Sequence, residues 1–102
     1  MEYINKVELA GNVISCRKQD VANTQVAYFT LQTARDFASS TGATIVDYDK
    51  HSCVAWQSDK INLSKIKEGG TLHIEGRLKY IIYTTPEGTT EKITNIAVSK
   101  IY

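Results

Sequence analysis

GGTLHIEGRLKY, residues 69–80, sets Leu72, Ile74 and Leu78 on alternate positions between His73, Glu75, Arg77 and Lys79. Side chains along an extended strand point to opposite faces in turn, so this period of two predicts a long strand with one apolar face. Gly76 stands where the series calls for another apolar residue. A glycine inside a strand gives up packing and backbone entropy, and it marks a bulge, a sharp bend or a close backbone approach. NKVELAGNV, residues 5–13, has the same character: Val7, Leu9 and Val13 alternate around Glu8 and Asn12, and Gly11 lies within the run. The first strand is expected within 3–15. Two strands bent by internal glycines suggest a closed barrel.

QVAYFTLQTA at 25–34 is rich in β-branched and aromatic residues and predicts a second strand, followed by a polar loop, DFASSTGAT, at 36–44. A third strand is expected from about Ile45 to Trp56. Ser58 then suits the N-cap of a short helix from about Asp59 to Lys67, with Asp59 at its positive end, Lys65 and Lys67 at its negative end, and Gly69 or Gly70 as its stop. TTPEGTT at 84–90 turns the fourth strand into a fifth ending near Ile101. Three strands, one short helix and two strands predict an all-β OB-fold, a five-stranded Greek-key barrel. A plain antiparallel barrel or sandwich also accommodates these elements.

The 102 residues suit one domain over 1–102, and Pro86, the only proline, lies in a turn rather than a linker. With 42% hydrophobic and 23% charged residues the composition excludes the disordered and membrane classes. MEYINKVEL lacks the basic start and apolar stretch of a signal peptide, so a cytoplasmic, nucleoid-associated protein is expected. Cys16 and Cys53 are too far apart for a CxxC motif and read as reduced thiols. A formal charge of +1 gives no field that would attract a polyanion. Nucleic-acid binding must therefore rest on local cations.

NKVELAGNV at 5–13, VAYFTLQTARDF at 26–37, HSCVAW at 51–56 and GGTLHIEGRLKY at 69–80 together resemble the bacterial single-stranded DNA-binding protein family, in order and in spacing. The resemblance spans almost the whole chain. It implies an OB-fold that assembles into dimers or tetramers, wraps single-stranded DNA in replication, recombination or repair, and stacks bases on a few aromatic side chains. Phe37, Trp56 and Tyr83 stand at the family's stacking positions. Lys50 stands where the family often has a tryptophan, with Tyr48 nearby as a substitute platform. Ile81 and Ile82 occupy positions that are frequently basic. The sequence ends at Tyr102 without the linker and acidic tip through which family members recruit replication and repair proteins, so those partners are not assumed. On the same analogy His51, and His73 with it, are assigned to the oligomer interface.

Binding of any sequence cannot depend on base-edge hydrogen bonds, whereas every base has a π face on which an aromatic ring can stack. Phosphates require cations, and Arg35, Lys50, Arg77 and Lys79 flank the three aromatics in sequence. Without the resemblance each aromatic reads as core or interface, because rings bury large apolar areas. That reading is kept for Tyr28, Phe29 and Tyr80. His51 and Cys53, two apart on one strand, share a face, but no further Cys or His follows at metal-site spacing, so no metal or cofactor is expected. Cys53 reads as a small buried hydrophobe. Asp47 and Asp49 read as a solvated strand end. With no nucleophile elbow, phosphate-binding loop or HExxH pattern, an enzyme is not expected. Three alternatives remain open: a primosomal replication-restart accessory protein of the same fold, an oligomerisation or protein-interaction barrel without DNA binding, and an RNA-binding domain.

Overall fold

The computed structural model describes residues 1–102. Five strands, β1 (Val7–Val21), β2 (Thr24–Ala38), β3 (Thr44–Trp56), β4 (Thr71–Thr84) and β5 (Thr90–Ile101), close into a barrel in the order β1-β2-β3-β5-β4. Every pairing is antiparallel except a short parallel contact between β3 and β5, where Cys53 meets Ile96 and Val54 meets Ala97. This is the expected OB-type architecture. β1 starts and ends later than the alternation at its beginning indicated, and its second half pairs with β2 out to Val21.

The alternating apolar positions supply the core. Val13 from β1, Phe29 and Leu31 from β2, Cys53 from β3, Leu72 and Ile74 from β4 and Ile96 from β5 are all buried. Both internal glycines answer to close backbone approach. A Cβ on Gly11 would run into the carbonyl oxygen of Gln32, and one on Gly76 into that of Ala97. Each lies close to a bulge: Ile14 is the extra residue of β1 against β2, and Ser99 that of β5 against β4. The bulged strands bend, which helps β1 pair with both β2 and β4 and β5 with both β4 and β3.

The segment between β3 and β4 departs from the expected helix. Only Leu63–Lys65 form a single 3-10 turn, capped by Asn62, whose side chain accepts from the Ser64 amide. Ser58 does cap, but its hydroxyl oxygen accepts from the Lys60 and Ile61 amides in a turn. Ile61, Leu63 and Ile66 are buried in the barrel core. Their spacing does not form a helical stripe, and so short a segment gains too little from helix propagation to offset nucleation. Plugging the barrel end takes precedence.

Beyond the barrel, β2 with β3 and β4 with β5 continue as two-stranded arms. No residue from Gln32 to Ser52 or from Arg77 to Asn95 is buried. The arms stretch the molecule to 54 × 38 × 36 Å with a radius of gyration of 16.3 Å, where about 13 Å is usual for a compact domain of this size. The expected 36–44 loop is correspondingly shorter. β2 and β3 remain paired out to Ala38 and Thr44, so Phe37 is a strand residue opposite Ile45, not a loop residue. Of the three aromatics read as core or interface, Phe29 is in the core at 3% exposure, while Tyr28 and Tyr80, at 36% and 53%, lie outside it.

Candidate nucleic-acid interface

Trp56 is a β3 residue whose neighbours on the strand, Ala55 and Cys53, differ from it in direction. Those two face the core, so Trp56, Val54, Lys50 and Tyr48 face outward. On β2 the inward residues are Ala27, Phe29 and Leu31, which turns Tyr28 outward beside Val54. On β4, Arg77, Lys79, Ile81 and Tyr83 share the outer face, opposite Ala97, Asn95, Ile93 and Glu91 of β5. The β3–β5 contact joins the two sets. A shallow groove of about 370 Å³ results, with Tyr28, Val54 and Trp56 on one side and Arg77, Lys79 and Ile81 on the other.

Charge favours an anion here. The ion pairs of the structure are Lys6–Glu75, Arg35–Asp47 and His73–Glu8, so Lys50, Arg77 and Lys79 have no carboxylate partner. Trp56 is 46% exposed and lines the groove. The arrangement can stack a base and hold a phosphate on the same surface.

The remaining candidates are distributed along the arms. Tyr83 lies further along the outer face of β4, and its hydroxyl donates to Glu91 Oε2 at 2.6 Å, a bond that raises the phenol's pKa. Lys50 and Tyr48 extend the outer face along β3, opposite Gln32 and Ala34. Phe37 and Arg35 belong to the other face of the β2–β3 arm, in phase with Leu31. Arg35 is 5.7 Å from the Phe37 ring centroid and 3.7 Å from Asp47, so its charge is partly matched. The structure thus gathers Trp56, Arg77 and Lys79, continues them through Lys50, Tyr48 and Tyr83, and sets Phe37 and Arg35 across the ribbon.

The two histidines differ in their surroundings. His51 is half-buried and its Nε2 lies 2.9 Å from Thr33 Oγ1. His73, on the outer face of β4, meets Glu8 Oε2 at 2.7 Å and stacks on Tyr102, with ring centroids 4.0 Å apart. Tyr102 in turn donates to Glu75 at 3.0 Å, which lowers the carboxyl's pKa and raises the phenol's. Cys53 is 2% exposed, and burial pushes its thiol up to about 12, as suits an inert core residue. Tyr28 is a groove residue that composition had assigned to packing. Its parity opposite to Ala27, Phe29 and Leu31 is the signal that identifies it.

A closed five-stranded barrel with an aromatic, cationic outer face defines the class of oligonucleotide-binding OB-folds. The model of the single-strand binding protein family matches residues 4–102, and the chain belongs to that family. It is a DNA-binding and non-catalytic family. Among solved structures, the chain is similar to the Plasmodium falciparum SSB in complex with ssDNA, at 23% identity and TM-score 0.81, covering 98% of this chain and 90% of the other. It is also similar to a deletion mutant of the Thermus aquaticus single-stranded DNA-binding protein, at 15% identity and TM-score 0.75, covering 97% of this chain and 49% of that one. The small single-stranded DNA-binding protein of Streptomyces coelicolor gives 22% identity and TM-score 0.71, covering 100% and 94%. No curated protein matches. No helix of the structure is long and apolar enough to cross a membrane.

Proposed function

We propose that this protein binds single-stranded DNA without regard to sequence and protects it during replication, recombination or repair, as a homo-oligomer that performs no catalysis. The observation that carries this reading is the groove in which exposed Trp56 faces the unpaired cations Arg77 and Lys79. Bases stack on Trp56 and on Tyr83. Lys50, Arg77 and Lys79 hold phosphates, and Tyr48 supplies a ring beside Lys50. Phe37 and Arg35 serve a strand that passes around the edge of the β2–β3 arm. The Plasmodium relative, solved with ssDNA, supports the same ligand. Self-association is supported by Leu78, Tyr80 and Ile82, which stay exposed on the inner side of the β4–β5 arm although Lys92 lies over the Tyr80 ring. His51 and His73 are the interface candidates of that assembly.

The test is the affinity for oligo-dT as a function of salt. With three to five phosphates neutralised, log affinity falls against log salt with a slope of about −2 to −3.5, at roughly −0.7 per contact. A slope near −7 would point to a basic surface elsewhere, and absence of binding at low salt would refute the function.

A further inference from the structure

Arg17 lies directly opposite Tyr28 across β1 and β2, Tyr28 opposite Val54, Val54 opposite Ala97, and Ala97 opposite Arg77. One row of outward-facing residues therefore crosses all five strands and ends in an arginine on each side. At a strand spacing of about 4.8 Å it runs about 19 Å along the barrel surface. The middle of the row is the small apolar floor of Val54 and Ala97, with Trp56 two residues along β3. Arg17 sits over the Tyr28 ring, 4.8 Å from its centroid, and has no carboxylate partner. A second depression continues from the groove on this side, and Ser15, Thr30, Ser52 and Asn95 line it with polar groups.

We infer that Arg17 and Tyr28 form a further single-strand subsite, in which a base stacks on the ring beside the one held at Trp56 and Arg17 takes the neighbouring phosphate. This rests on the single-strand-binding reading above and extends the path from β4 across the barrel to β1. Arg17 holds one face of the ring by cation–π attraction, so the platform is ordered before the nucleic acid arrives. The base stacks on the ring's open face and edge, where 36% of Tyr28 is exposed. Glu68, which lines the same depression, is the one acidic group there and repels the phosphate. Its presence limits affinity at this end of the row.

The experiment measures oligo-dT affinity, its salt slope and solution mass for wild type, Tyr28→Ala, Tyr28→Phe, Arg17→Ala, Glu68→Gln and, as a control in the groove, Lys79→Ala. Tyr28→Ala is expected to weaken binding about 5- to 150-fold, the usual worth of one stacked base. Tyr28→Phe keeps the ring and stays close to wild type. Arg17→Ala makes the slope shallower by about 0.7, the share of one phosphate. Glu68→Gln tightens binding. Wild-type affinity and slope in Tyr28→Ala and Arg17→Ala, with Lys79→Ala weakened, would overturn the subsite and leave the function standing. A change in solution mass with unchanged affinity would make Tyr28 an interface residue instead. Failure of the wild type to bind would remove both readings.

Discussion

The barrel and its two arms use the same residue types for different ends. In the barrel, alternation separates a core face from a solvent face, so Phe29, Leu31 and Ile74 are buried while Tyr28 and His73 look outward. In the arms both faces are solvated. Ile81 and Ile93 still stand opposite each other, as do Phe37 and Ile45, although each of the four is about 40% exposed. Pairs that remain this exposed add less to stability than the buried core and leave apolar surface facing outward. The barrel thus carries the stability, and the arms with the adjoining groove carry the exposed aromatic and cationic side chains.

The largest effect that tests this division is a pair of truncations in β4. Ile74→Ala removes a fully buried side chain and is expected to cost about 2 to 5 kcal/mol in urea unfolding. Ile82→Ala, eight residues on and 69% exposed, should stay within about 0.5 kcal/mol. Comparable losses would mean that the arm packs in solution and that the division is wrong. Gly11→Ala comes next. The added Cβ meets the backbone carbonyl of Gln32, which cannot swing aside as a side chain can, so a loss of about 1 to 3 kcal/mol is expected. Gly42→Ala in the β2–β3 arm has open space around it but a φ of +84°, so its cost is the backbone penalty alone, about 1 kcal/mol.

A smaller effect distinguishes the barrel by pH. Cys53 holds its proton up to about 12 in the folded chain, against an ordinary value of 9.0. The unfolded chain therefore loses the proton first. Cys53 contributes its full stability below pH 9 and loses it progressively between 9 and 12, at no more than about 1.4 kcal/mol per unit. Urea midpoints at pH 8 and pH 10 should differ less in Cys53→Ala than in the wild type. An identical pH dependence in the two would show that the thiol is not the source.

The same contrast explains how much was legible in the sequence. Period two identified the barrel strands because burial imposes it, and Gly11 and Gly76 announced close approach because only a glycine fits against those carbonyls. In the β2–β3 arm neither face is buried, so ARDFA carries no alternation and its polar composition resembled a loop. The helix expected after Ser58 rested on capping chemistry that is present, but a turn uses it and Ile61, Leu63 and Ile66 fill the barrel end. Resemblance and local charge single out Trp56, Arg77 and Lys79, and the structure brings these three to one groove. Tyr28 reads as core or interface by residue type, while its parity opposite to Phe29 and Leu31 turns it to the surface. Phe37 shares the face of Leu31 by parity, which is readable only once β2 is known to run unbroken to Ala38.

Stacking of bases on Trp56 can be read from its fluorescence during titration with oligo-dT, since it is the only tryptophan. Quenching that saturates with binding is expected, with much less change on adding duplex DNA, whose bases are already stacked on one another. Emission that stays constant while the oligonucleotide binds to saturation would contradict it.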